Sequence, residues 1–514
     1  MTLNYSGGEY PGLSPAWLAL AFVGISCLYL IAVSRGFHLS RSMSPSQSTS
    51  WLLLPLLGAL LMGGALLFLP IVFSQDIQSY LDASQAGARY YAYPPAGFRP
   101  ASSPALYGPP WLAITSLLVN LSNHNPFLLT LLMRAIELLA HLANTVLIWT
   151  ILTSIAPLQR LASTLLYAWN PLVLLELVGN AHYDGLVICL LLFSICLYLR
   201  RPPSLSAKQP DHVNDTHLAT QSGRDNECSQ PESVTNCHPE RSEGSHSPGA
   251  EILRCAQDDK AGFDSEHSLS RPYDIIALVL VGLAISLNWL ALVVAPLLLW
   301  FMARSQRGTG SIIKGFSWRV LLVLVVVVIT YLPIWQGGTT FVAIVSTIHL
   351  QIALNSMLAL FVTPLNALYT LLFTRSHITT PSFAPVDPTS AANLSIVTSA
   401  LFTFLLLYLR EMGKARKVEA LFTGLCIVML AYVALASTIF WPWLLIWIVW
   451  LVALRPYDTL SKTLLLFSCT ALLYYPLKAA PFALLAPLCI FGIPFVYFIG
   501  TRIWTTKTKY EATQ

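Results

Sequence analysis

Apolar runs of about 15 to 25 residues recur along the chain, separated by short polar segments, and this pattern leaves few folds open. Backbone N–H and C=O groups cannot stay unpaired in hydrocarbon, so only helices and closed barrels cross a bilayer. A barrel would alternate apolar and polar residues in short strands, and the runs show no such alternation. Of the 514 residues, 55% are hydrophobic and only 10% are charged, against roughly a quarter charged in a soluble domain. The expected fold class is an all-α polytopic membrane protein. The net charge of +5 resides in loops, which gives no surface for a nucleic acid.

Basic residues orient the helices, because Lys and Arg are retained on the cytoplasmic side. The first run, Pro15 to Ser34, has no basic residue before it and is longer than a signal-peptide core, so it reads as a retained helix. Arg35 and Arg41 follow it, which places the amino terminus outside. The second run, Trp51 to Phe73, returns the chain outward and puts Asp76 on the external face. Trp111 to Leu121 is too short, at about 1.5 Å per residue, to cross a core of roughly 30 Å. It is expected to lie on the outer surface as an interfacial helix. Arg160, Arg200-Arg201, Arg304, Arg410, Lys414, Arg455 and Arg502 then all fall inside. The expected bundle has about 11 to 13 transmembrane helices.

Residues 1–200 form an amino-terminal half with an external catalytic loop at 74–110, and residues 273–514 form the carboxy-terminal half. Between them, 201–272 is rich in Ser, Asp, Glu and Asn without apolar periodicity, and is expected to be a disordered cytoplasmic insert. Its stretch from Cys237 to Asp259 resembles translated dispersed genomic repeats of bacteria. No cysteine falls in an external loop, so no disulfide framework is indicated.

Polar residues within apolar runs mark where chemistry could sit, since they are costly there unless paired or used. The segment Glu176-Leu-Val-Gly-Asn180-Ala-His182-Tyr-Asp184 is the densest case, at an outer helix junction. A His–carboxylate pair can hold a phosphate or a sugar hydroxyl, although Asn180 also suits a helix cap. The His-x-Asp spacing could bind a divalent metal, but only two ligands are visible and no cofactor is indicated. Arg134, Glu137, His141 and Asn144 share one helical face. They could form an ion pair with interhelical hydrogen bonds, or a polar wall from which Arg134 reaches a lipid phosphate. Arg89 shares a loop with Asp76, and its planar fork of donors suits phosphate oxygens. Tyr93, within Tyr90 to Pro95, suits a rigid wall against a sugar or isoprenoid, or an interfacial aromatic belt. Trp443, in Phe440-Trp-Pro-Trp443, and Lys478 lie near the outer ends of late helices.

Asp76, Tyr107-Gly-Pro, Tyr167-Ala-Trp-Asn-Pro171, Gly179-Asn-Ala-His182-Tyr-Asp184-Gly, Gly282 to Asn288 with Pro296, and Phe440-Trp-Pro-Trp443 together resemble the GT-C superfamily of integral membrane glycosyltransferases. The likeness is to bacterial polyprenyl-phosphate-mannose-dependent enzymes. Relatives often carry Asn where this chain has Tyr183, and Lys where it has Asn288. The resemblance implies a GT-C-like bundle with external interfacial helices in the bacterial plasma membrane, its active site on the extracytoplasmic face. It implies inverting transfer of a hexose, mannose first, from a polyprenyl-phosphate sugar to a glycan or glycolipid acceptor, with Asp76 as general base. A lipid or sugar transporter or flippase without transferase activity is the alternative. Such folds often carry an internal repeat and a midplane charged site, whereas here the polar clusters gather at one face.

Overall fold

The computed structural model describes residues 14–42, 50–69, 76–86, 107–200, 272–304, 309–340, 356–358, 364, 367, 371, 388–437, 439–477 and 485–511. Among these residues the regular elements are helical. Helices α1 (Pro15–Ser42) and α2 (Leu53–Leu67) precede two short ones, α3 (Asp76–Ala86) and α4 (Pro109–Leu121). The 30-residue α5 (Pro126–Ile155) leads through α6 (Arg160–Ala168) and α7 (Pro171–Leu174) to α8 (Asp184–Leu199). Then follow α9 (Pro272–Leu287), α10 (Ala291–Arg304), α11 (Thr309–Tyr331), α12 (Pro388–Lys414), α13 (Val418–Ala431), α14 (Ile446–Ala453), α15 (Thr459–Ala471) and α16 (Ile493–Glu511).

Seven helices among the described residues are long and apolar enough to cross a membrane, or eight if Pro157–Ala168 and Pro171–Gly179 form one bent span. Five further apolar helices, Pro109–Leu121 among them, are shorter than such a span, at 10–17 residues. The chain is a multi-pass, all-α membrane protein. Its helices divide by exposure as bilayer packing requires. Leu321, Leu324, Val325 and Val328 of α11, with Phe402, Leu405, Leu406 and Leu409 of α12, turn apolar side chains outward. All eight residues of α14 are buried, as in a helix hydrophobic on every side.

The Tyr167-Ala-Trp-Asn-Pro171 block serves this architecture. The Asn170 side chain caps α7, accepting from the backbone N–H groups of Leu172 and Val173 at 3.1 Å each, with Pro171 at the first helical position. Its amide donates to the hydroxyls of Tyr29 on α1 and Ser468 on α15, both at 3.0 Å. Trp169 donates to the Pro55 carbonyl of α2 at 3.2 Å. The Asn170 cap and the adjacent Trp169 thereby tie three distant helices to the bend of 45° between α6 and α7. Tyr107-Gly108-Pro109 is architectural too. The Gly108 N–H donates to the Leu287 carbonyl at 3.2 Å, where the chain presses against the end of α9 and a Cβ would have no room.

Residue Asp76 is the first residue of a helix, whereas the 74–110 segment reads as a loop from its sequence. Helix α3 packs on α4 through rings: Tyr80 meets Tyr107, Trp111 and Tyr183 edge to face at 4.9, 5.2 and 5.8 Å. Trp111 stacks on Tyr183 at 4.6 Å. These aromatic contacts join α3, α4 and the turn before α8, and so hold Asp76 over that turn.

Candidate active site

The site is built on an irregular backbone. After α7 the chain widens into a π turn, Leu175–Gly179, and π turns leave side chains out of helical register. Asn180 N–H reaches back to the Leu175 carbonyl at 2.8 Å, and His182 N–H to that of Glu176 at 3.1 Å. Between them Ala181 adopts φ +56°, a left-handed conformation that non-glycine residues adopt only at a cost of order 1–3 kcal/mol. The result turns Glu176, Asn180 and His182 toward one point.

At that point three ionisable groups meet. His182 Nε2 lies 3.2 Å from Asp76 Oδ2 and 3.3 Å from Glu176 Oε2. The Asp76 side chain is 33% exposed, His182 7% and Glu176 0%, so the row runs from an open carboxylate to a sealed one. Asn180 donates to Glu176 Oε2 at 2.8 Å, and the Tyr475 hydroxyl donates to Oε1. Burial alone would lower the His182 pKa, but the carboxylates of Asp76, Glu176 and Asp184 outweigh it and raise it to about 9. The imidazole is therefore a cation at neutral pH. Trp443 leans over it, with ring centroids 5.7 Å apart.

Asp184, in the first turn of α8, is buried beside this row. Its Oδ1 accepts from the Asn288 amide at 3.0 Å and from the Trp447 indole at 2.8 Å. Asn288 thus meets the carboxylate with a neutral donor. Among the described residues, no group of three His, Cys, Asp or Glu side chains is arranged to hold a metal ion.

The structure brings together Asp76, Glu176, Asn180, His182, Asp184 and Trp443. Arg134 belongs to the framework: its guanidinium donates to the carbonyls of Leu67 at 3.1 Å, Leu69, and Gly179 at 2.6 Å, clamping the end of α2 to the π turn. Its helical face continues that task. Glu137 lies against Gly185, His141 bonds the Ala168 carbonyl at 3.0 Å, and Asn144 donates to the Gly185 carbonyl at 3.0 Å. Arg89, Tyr93 and Lys478 lie outside the described residues. Two groups at the site escape a reading of the sequence, Tyr475 and Trp447. Aromatics in apolar runs carry no signal that separates a hydrogen-bond donor from core packing.

Comparison with known proteins gives one match. Residues 10–304 fit the family model described as alpha-(1->6)-mannopyranosyltransferase, N-terminal domain. No curated protein and no solved structure matches the chain.

Proposed function

This chain belongs to the alpha-(1->6)-mannopyranosyltransferase family and is a membrane glycosyltransferase; from that premise we propose that it moves mannose from a polyprenyl-phosphate donor to a glycan or glycolipid hydroxyl on the extracytoplasmic face. The observation that carries the reading is Asp76, a carboxylate one-third open and paired with His182 at 3.2 Å. Such a carboxylate can accept a proton from an incoming hydroxyl.

In the proposed step the acceptor oxygen attacks the anomeric carbon of the donor as the bond from that carbon to the phosphate oxygen breaks. The hydroxyl proton passes to Asp76, which later returns it to water, and polyprenyl phosphate departs. Attack opposite the leaving group inverts the anomeric centre, so an α-linked product requires a β-linked donor. General-base assistance of this kind contributes roughly 10² to 10⁴-fold.

Cations at the departing phosphate would contribute comparably. We assign them to Arg89, in the segment that Asp76 opens, and to Lys478, which follows the Tyr474–Leu477 turn carrying Tyr475. Arg134 is committed to backbone carbonyls, and we leave it out of the donor site. The proposal includes no metal ion, and turnover is expected to survive EDTA.

The extracytoplasmic placement rests on charge. Helices α8 and α10 begin beside the site, near Asp184 and Asn288, and end at Arg200 and Arg304, while α14 runs from Trp447 toward Arg455. At about 1.5 Å per residue these basic ends lie far from Asp76, and Lys and Arg mark the cytoplasmic side. A lipid-linked donor follows, because nucleotide sugars are confined to the cytoplasm.

Membranes carrying Asp76→Asn test the assignment with labelled polyprenyl-phosphate mannose. Transfer is expected to fall by about 10² to 10⁴-fold with donor binding retained. Near-wild-type turnover in that variant would overturn the role of Asp76.

A further inference from the structure

We propose that Glu176 and Tyr475 are positioning residues for Asp76, acting through His182, so that the carboxy-terminal half of the chain completes a site whose base lies in the amino-terminal half. This rests on Asp76 as the base. Tyr475 lies beyond residues 10–304, the part matched to the family, so the match gives it no role.

The geometry has a direction. Asp76 begins a short helix, and one of its oxygens, Oδ2, is 3.2 Å from His182 Nε2. A charge-assisted contact to that oxygen fixes the carboxylate plane. His182 can hold Asp76 only if its own ring is held. Glu176, fully buried, does this at the same nitrogen, its Oε2 lying 3.3 Å from Nε2, so the two carboxylates share that one N–H. Glu176 is anchored in turn by Asn180 from its own π turn and by Tyr475 from far along the chain. A base oriented by a second group, itself oriented by a third, is the arrangement by which side chains are aligned for proton transfer.

Charge explains why a second carboxylate is needed. Before transfer, His182 faces Asp76 from α3, Glu176 from the π turn and Asp184 from α8, with the neutral ring of Trp443 above it. When Asp76 takes the acceptor's proton, its charge vanishes and the buried imidazolium loses its nearest exposed partner. Glu176 remains beside it as counter-ion, so the ring need not release its own proton during the step. The proton therefore stays on Asp76 until water removes it.

Two readouts test this, one of them independent of any donor. The first is the titration of His182, followed by NMR of histidine-labelled full-length protein in detergent and assigned with His182→Gln. The wild-type midpoint is expected near 9, and Glu176→Gln should move it down toward the ordinary imidazole value of about 6.5. Glu176→Asp, which keeps the charge, should restore much of the shift. The second readout is turnover of labelled polyprenyl-phosphate mannose. Glu176→Gln is expected to lower kcat by about 10²-fold, as misplacement of a reacting group does, with KM for the donor nearly unchanged. Tyr475→Phe is milder and tests the same chain should Glu176→Gln fail to accumulate; its kcat should fall about tenfold at constant KM. Wild-type kcat in Tyr475→Phe, or an unmoved His182 midpoint in Glu176→Gln, overturns the inference even where Asp76→Asn is inactive. An active Asp76→Asn defeats the base itself.

Discussion

The indole N–H of Trp447 donates to Asp184 Oδ1 at 2.8 Å, joining residues 263 positions apart in the sequence. Asp184 begins α8 and Trp447 lies in α14, so this bond fastens the first turn of α8 to a helix buried along its whole length. Trp447→Phe keeps most of the ring volume and removes the donor. A buried acceptor that loses a donor costs about 1–3 kcal/mol. Thermal unfolding in detergent is expected to show that loss, with transfer reduced in parallel. Unchanged stability would mean that Asn288 alone satisfies the carboxylate.

The three carbonyls around Arg134 separate a framework role from donor binding. Arg134→Met leaves those of Leu67, Leu69 and Gly179 without their donor, the last of them buried. At about 1–3 kcal/mol for each orphaned group, the variant is expected to accumulate poorly. Arg134→Lys retains the charge but cannot reach three acceptors with a planar fork, so it should also be destabilised. Any folded fraction should show a wild-type KM for the donor. A raised KM with normal stability would return Arg134 to the phosphate.

How much of this is readable beforehand differs by residue. Glu176, Asn180, His182 and Asp184 stand out because polar groups interrupt an apolar run, and all four are buried at one place. Arg134, Glu137, His141 and Asn144 are visible as one inward face, and all are buried. Their tasks are not legible, since spacing says which way a side chain points but not which carbonyl it meets. The approach of Asp76 to His182 crosses about a hundred residues, and no local pattern encodes it. Tyr475 and Trp447 are hidden for another reason. The chain has 21 Tyr and 14 Trp, and a ring in a membrane helix reads first as packing. The Tyr107-Gly-Pro motif is recognisable, whereas the closeness of α9 that requires the glycine depends on the tertiary fold.

That closeness is itself testable. A Cβ on Gly108 would lie 1.5 Å from the Ser286 carbonyl oxygen, so Gly108→Ala must push α4 away from α9. Overpacking of this kind costs about 1–3 kcal/mol or more. Because Trp111 of α4 stacks on Tyr183 and Tyr80 packs on both, the displacement should reach α3 and Asp76. The expected outcome is lower thermal stability together with lower transfer. Wild-type behaviour in both would show that α4 and α9 have slack between them.

The last expectation concerns pH. His182 is raised in the folded protein to about 9, against an ordinary value of 6.5, because three carboxylates outweigh its burial. A group whose pKa is higher folded than unfolded stabilises the fold fully below its unfolded value. That contribution disappears as pH rises through the folded value. The window therefore runs from about 6.5 to about 9. Over it the wild-type protein is expected to lose up to roughly 3 kcal/mol of stability, since below it the imidazolium is intact and above it neutral imidazole faces the same carboxylates. Thermal unfolding in detergent across this range checks the sign. His182→Gln should be less stable than wild type at the acid end and should lack this part of the slope. Parallel curves for the two proteins would show that His182 is not held as a cation between Asp76 and Glu176.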